Sequence, residues 1–384
     1  MKRINSVDFV RGLVMVIMAL DHTRDMFHIA SQGQDPANLA TTTPILFFTR
    51  WITHLCAPTF VFLSGVSAYL SGRNSSVKEN RNFLLSRGIW LVLLEFTIIT
   101  FALWFDLKFR TLFFQVIAAI GFSFIILALL IKLPNRVILA IGLVIIFGHN
   151  LLALLPFNTP PYSYFAPLFS FAFFQITPTN AFVIGYPPIP WLGIMLLGYG
   201  LGDIFTSAPE KRKSVFLTLG LSALALFVVI RFINIYGDPI PWSAQKNSMY
   251  TFLSFMNVTK YPPSLLYTLA TLGVSFIILR LVDGAQNKFI SFFSVYGKVP
   301  LFYYLLHWYI LHSLMFLLLF AQGFTTKDFV FGIFQLGRPL TPNGFELPVV
   351  YLIWLVVVLS LYPLCVWYSR YKAAHRENRL LRYI

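Results

Sequence analysis

The stretch MKRINSVDFVRGLVMVIMALDHTRDMFH, residues 1–28, is apolar enough through its middle to cross a membrane, yet it carries charge at both ends. Asp8 and Arg11 stand near its start, and Asp21, His22, Arg24, Asp25 and His28 crowd its far end. Ionisable groups inside a span are costly to bury, so they mark a functional site by default. Arg11 and His22 are eleven residues apart, about three helical turns or ~16 Å along the axis. At ~100° per residue they project from nearly the same face. Asp21, Asp25 and His28, at i, i+4 and i+7, form a neighbouring stripe. Basic residues followed by an apolar run can imitate a secretory signal. Here Arg11, Asp21 and His22 interrupt the run and no small-residue cleavage site follows, so the helix is expected to be retained.

The rest of the chain agrees with a membrane setting. Its 384 residues are 58% hydrophobic and only 11% charged, whereas a soluble domain carries about 25% charged residues. So few charges cannot cover a soluble fold of this length, and 41 Phe with 18 Tyr exclude disorder. The apolar runs are continuous rather than alternating, which selects helices over a barrel. The net charge of +15 lies in short Lys/Arg clusters between the runs, with no nucleic-acid motif, so no nucleic-acid partner is expected. Cys56 and Cys365 both lie in apolar stretches and read as packing residues.

The fold expected is therefore all-α, a polytopic helix bundle in the lipid bilayer with about ten transmembrane helices. The spans fall near 7–29, 44–71, 82–104, 111–132, 135–155, 190–206, 214–235, 261–282, 298–321 and 347–369. Arg73, Lys78, Arg81, Arg87, Lys132, Arg136, Lys211, Arg212, Lys213, Arg280, Lys288 and Lys298 fall on the same side as both termini. The positive-inside rule assigns that side to the cytoplasm. Residues 1–384 read as a single domain. Residues 137–202 contain no Asp, Glu, Lys or Arg, and 157–190 are rich in proline and aromatics. Repeated proline breaks a spanning helix. This outer-face segment reads either as a cover that dips part-way into the membrane or as a passive interfacial loop.

Arg11, always charged and forked, suits an anion near the cytoplasm. His22 suits proton handling deeper in the membrane, since an unperturbed imidazole has its pKa near neutrality. Asp25 or Asp21 is placed to orient the imidazole as a triad carboxylate does, although Asp21, next in sequence, points ~100° away. The competing reading is a helix-end anchor, which Arg24 fits best because such arginines snorkel. His54, in WITHLCAPTFVFLSG, either binds or packs. Ser64, Gly65, Ser67 and Ala68 suit close helix contact. Arg87 and Glu95 lie on similar faces of the third helix and read as a structural ion pair, with a proton relay as the alternative. In KVPLFYYLLHWYILH, His307 on a Tyr-rich face is a better acceptor ligand than His312, and His149 reads as structural. No HExxH or Cys/His spacing is present, so no metal is expected.

The opening D-x-x-R-G, followed by LDHTRDMFH, FLSGVSAYL, FLLSRGIWLVLLE, PWLGIMLLGYGLG and YYLLHWYILH, resembles bacterial membrane proteins grouped with heparan-alpha-glucosaminide N-acetyltransferase. These belong to the wider transmembrane acyltransferase superfamily. The resemblance implies a plasma (inner) membrane enzyme that takes an acyl group, acetyl foremost, from cytoplasmic acyl-CoA. The acyl group would pass to a sugar or glycan on the far side. Arg11 and His22 match the superfamily's Arg, ten residues, His spacing, whose His is the proposed catalytic residue. In the glucosaminide enzyme the position matching His22 resembles an Asn, with the active His later, where His28 is the nearest match; His22 and His28 thus compete. The superfamily's R-x-x-R on the third helix is absent, as Arg81 and Arg87 sit too far apart. The implied arrangement puts the phosphates of acyl-CoA near Arg11 and near Arg81 or Arg87. The thioester points towards His22, a general base or a transient acyl carrier, with His54, His307 and Glu95 towards the acceptor. The rival readings are a proton-coupled small-molecule transporter using the same Asp/His cluster, and a scaffold in which His22 is freely replaceable. The sequence leaves the oligomeric state open.

Overall fold

A computed structural model of the chain describes residues 4–156, 159–375 and 377–383. Helix α1 (Asn5–Phe27) is buried along most of its length, and Val10 and Ala19 are completely enclosed. A helix wrapped on all sides belongs to the core, so its charges face protein rather than lipid. After it, α2 (Pro44–Ile52), N-capped by the Thr43 hydroxyl accepting from Leu46 N–H, turns at 53–55 into α3 (Cys56–Gly72). Helix α4 (Val77–Leu94) opens on a reciprocal capping box of Ser76 and Glu79. It continues through a π-helical turn, Glu95–Ile99, into α5 (Thr100–Trp104). Strand β1 (Thr111–Phe114) precedes α6 (Val116–Leu130) and α7 (Asn135–Gly148).

A short α8 (Ala166–Phe169) and strands β2 (Ala172–Thr177) and β3 (Asn180–Ile184) follow. The second half holds α9 (Pro188–Gly200), α10 (Pro209–Ile233), α11 (Ser248–Met256), α12 (Leu265–Val282), α13 (Lys288–Lys298) and α14 (Pro300–Ala321). A two-stranded ribbon, β4 (Phe331–Gly332) and β5 (Gln335–Leu336), leads to the last long helix, α15 (Leu347–Ala374). Among the described residues, eight helical segments are long and apolar enough to cross a membrane. The other two expected positions are filled by α1, which is charged, and by α6, which has 15 residues. The chain is an all-α polytopic bundle.

Three features depart from the expected layout. Residues 111–114 are not helical; β1 pairs in parallel with β3, Thr111 opposite Ala181, and α6 starts only at Val116. The described part of 157–190 folds into α8 and a β2–β3 hairpin, which joins β1 in the order β1-β3-β2. Residues 288–298, expected as a connection, form α13 against α1. There the backbones touch: a Cβ on Gly12 would meet Phe293 O at 1.8 Å, and one on Gly297 would meet Asp8 O at 1.8 Å. Only glycine allows that approach.

Helix α15 seals another side of α1, its Trp354 indole N–H donating to Val16 O at 2.8 Å. Beyond α10 the loop is pinned by Arg231, which is buried and donates to the carbonyls of Ile240, Ser254, Phe255 and Asn257. Three of those carbonyls lie at the C-terminus of α11, where the helix dipole favours a cation.

Candidate functional site

The far end of α1 holds a buried charge cluster. Asp21 accepts from Arg50 Nη1 at 2.9 and 3.1 Å, pairs with Arg24 at 2.8 Å and faces Lys260 Nζ at 3.8 Å. Arg50 sits in the last turn of α2 and is braced by Thr53 Oγ1 at 3.1 Å. Lys260 is delivered by a loop that Asp238 fastens, accepting from Thr259 N–H, Thr259 Oγ1 and Ser264 Oγ at 2.6–2.9 Å. Arg24 is buried and also holds Asp25, whose side chain is half exposed.

His22 engages a different partner. Its Nδ1 lies 2.7 Å from Nε2 of His307 on α14, and its ring stacks on Trp308 with centroids 4.0 Å apart. His307 Nδ1 is in turn 3.2 Å from Tyr303 O. The group that touches the His22 ring nitrogen is therefore another imidazole, while Asp21 and Asp25 are engaged by cations.

Arg11, three turns earlier, donates through Nη2 to Ser67 Oγ at 2.8 Å and through Nη1 to Gly297 O at 3.2 Å. Asp8 lies 3.6 Å away. Arg11 forms part of the wall of a cavity of about 310 Å³ enclosed by residues of α1, α3, α4, α6, α13, α14 and α15. Arg11, Arg87, Lys298 and Lys372 supply its cations, and Met15, Met18, Leu91, Ile120 and Phe124 its apolar wall. Arg81 is not among the lining residues; its Nε is buried without a hydrogen-bond partner. Met18 is one turn from His22, and the ring of Tyr304, also in the wall, is 5.4 Å from that of His307. The cavity thus ends one turn short of the histidine pair.

The remaining expected residues disperse. Glu95 is buried at the start of the π turn and accepts from Ala118 N–H at 2.8 Å, in the first turn of α6. Its partner is thus a helix N-terminus, where the expectation was an ion pair with Arg87. His54 is buried beside Tyr267, with ring centroids 5.3 Å apart, and its Nδ1 has no hydrogen-bond partner. His28 caps the following turn, Nδ1 accepting from Ala30 N–H at 3.3 Å, and its backbone bridges to Phe345. His312 and His149 bond to backbone carbonyls. Among the described residues, no group of three or more His, Cys, Asp or Glu is arranged to hold a metal.

Sequence reasoning passed over Arg50, Lys260, Trp308, Lys298 and Lys372 as site residues. Arg50 lies inside an expected span and was open to the same rule that singled out Arg11. The others depend on contacts between distant parts of the chain.

Residues 3–233 match a family model described as heparan-alpha-glucosaminide N-acetyltransferase, catalytic. That region contains Arg11, His22, Arg50 and Arg87 and ends with α10, so Lys260, His307 and Trp308 lie beyond it. No curated protein matches the chain.

Proposed function

We propose, from the premise that this chain belongs to the heparan-alpha-glucosaminide N-acetyltransferase catalytic family, that it is a membrane acyltransferase using acyl-CoA, acetyl-CoA foremost, to modify a sugar or glycan acceptor. The observation that carries the reading is the arrangement along α1. A cavity with four cations, Arg11 among them, extends to within one turn of the part-buried His22–His307 pair.

The cations suit the phosphates of CoA, Arg11 and Arg87 by forked contacts and the two lysines as point charges. The pantetheine arm fits the apolar wall, and the thioester reaches past Met18 to His22. His22 accepts the proton of an acceptor hydroxyl or amine as that oxygen or nitrogen bonds to the thioester carbonyl carbon. The C–S bond breaks, and the departing CoA thiolate takes the proton back from His22. A transient acyl-His22 is the variant that would give ping-pong kinetics. Of the two competing histidines His22 is favoured, because His28 serves as a turn cap. His54, near the acceptor end, has a spare ring nitrogen for a sugar hydroxyl.

The cationic cavity includes Lys298 and Lys372 in its wall, on the side rich in Lys and Arg. That supports a cytoplasmic donor site, both termini cytoplasmic and an acceptor approaching from outside, in a bacterial inner membrane. The test is acetyl-CoA binding to detergent-purified protein, followed by acetylation of the cell-surface glycan. The expected results are saturable binding weakened in Arg11→Ala, and acetylation lost in folded His22→Ala. Well-folded protein that binds no acetyl-CoA sinks the reading and favours a proton-coupled transporter, for which liposome proton flux is the next assay.

A further inference from the structure

We infer that His307 is a positioning residue that fixes the tautomer of His22, leaving His22 Nε2 as the nitrogen that meets the acceptor. The role assigned to that nitrogen rests on the acyltransferase reading above, whereas the tautomer itself follows from geometry alone.

A neutral imidazole has one N–H and one bare nitrogen. His307 Nδ1 lies 3.2 Å from the carbonyl oxygen of Tyr303, one turn earlier on α14. A carbonyl only accepts, so His307 Nδ1 carries the hydrogen and Nε2 carries the lone pair. The partner of that lone pair is His22 Nδ1, 2.7 Å away. Two bare nitrogens at that distance would repel, so His22 Nδ1 is the donor and its Nε2 is bare. Every proton in the chain from Tyr303 O to His22 Nε2 is thereby fixed by one backbone carbonyl.

Ring packing holds this arrangement in place. Trp308 lies against the His22 ring at 4.0 Å with an interplanar angle of 22°. The Tyr303 and His307 rings are parallel to within 10°. His307 is completely buried, while His22 is only partly covered and so can meet an incoming acceptor. When His22 Nε2 takes the acceptor's proton, its Nδ1–H still points at the His307 lone pair, and the positive charge meets an acceptor. A carboxylate does this job in the familiar Ser-His-Asp triad. Here the nearby carboxylate, Asp21, is held by Arg24, Arg50 and Lys260, and a neutral imidazole takes its place.

The experiment is solid-state ¹⁵N NMR of full-length, ¹⁵N-histidine-labelled protein in lipid, with His22→Ala assigning the His22 signals. The wild type is expected to show His22 protonated at Nδ1 and bare at Nε2. In His307→Leu the His22 signals should shift towards the other tautomer. Acetyl transfer should then lose kcat on the order of 10²-fold, with KM for acetyl-CoA unchanged. In His307→Gln the side-chain oxygen can accept from His22 Nδ1–H, so both the tautomer and most of kcat should return. A His22 protonated at Nε2 in the wild type overturns the inference. So does a folded His307→Gln protein as impaired as His307→Leu, or a Leu variant as active as the wild type. The expected tautomer in a wild type that transfers no acetyl group overturns the acyltransferase reading instead, and leaves the proton arrangement standing.

Discussion

Arg50 Nη1 lies 2.9 Å from Asp21 Oδ2, joining the last turn of α2 to the penultimate turn of α1. Both side chains are largely buried, and Arg24 and Lys260 converge on the same carboxylate. Three cations around one acid hold together only while the acid keeps its charge. Removing one partner of such a pair strands the others, at about 3–5 kcal/mol.

Asp21→Asn should therefore lower the thermal unfolding temperature of the detergent-solubilised protein substantially. The double variant Asp21→Asn/Arg50→Gln should recover part of the loss, because it removes a stranded cation. Asp21→Asn protein that unfolds at the wild-type temperature would show that the cluster contributes nothing to stability.

Glu95 offers a sharper choice between structure and proton relay. Its carboxylate accepts from Ala118 N–H at the start of α6, a task that an amide oxygen performs as well. Glu95→Gln should retain stability and activity, whereas Glu95→Leu should lose about 1–3 kcal/mol for the unpaired buried N–H. Activity abolished in a stable Glu95→Gln protein would instead assign the residue to proton transfer.

The glycine contact between α1 and α13 sets a steric limit. Gly297→Ala places a methyl where Asp8 O stands, since a Cβ there falls at 1.8 Å. That variant should yield little folded protein, as judged by monodispersity on size exclusion. Gly148, whose Cβ would meet nothing within 4 Å, serves as the control: Gly148→Ala should be neutral or stabilise by about 0.4–1 kcal/mol.

The cavity beside Arg11 distinguishes two arginines that look alike in sequence. Arg11→Gln should weaken acetyl-CoA binding about tenfold or more, equivalent to about 1.4 kcal/mol. Arg81→Gln should leave binding unchanged, because Arg81 is not part of the cavity wall. Isothermal titration of both variants checks this. Equal losses would mean that the phosphates lie closer to α4 than the cavity suggests.

The parts of this molecule legible in the sequence are those governed by local periodicity. The eight long apolar helices among the described residues, and the shared face of Arg11 and His22, follow from the length of the apolar stretches and from the turn of an α-helix. The charged cluster at the end of α1 was legible but its partners were not. His22 meets His307 across 285 positions of chain. Asp21 draws Arg50 and Lys260 from two other segments, which no spacing on α1 announces. Glu95 was assigned a partner on its own helix, while the N–H it takes belongs to α6. Strand β1 was absorbed into a span because Thr111–Phe114 is as apolar as the helix after it. Only its pairing with β3 separates the two.

The enclosure of α1 also has a consequence for how the chain is made. The walls that shield its charges include α13, α14 and α15, all synthesised long after α1 itself. Each charged side chain near the centre of a lone helix resists insertion by about 2.5–3.5 kcal/mol, and less towards the ends. While the later helices are still on the ribosome, α1 is therefore the segment least at home in lipid. Gly12 and Trp354 are then as much fittings for a late assembly step as they are packing residues. A ribosome halted before α13 would leave Arg11 and His22, the proposed donor ligand and base, on an unsheathed helix, open to membrane quality-control proteases.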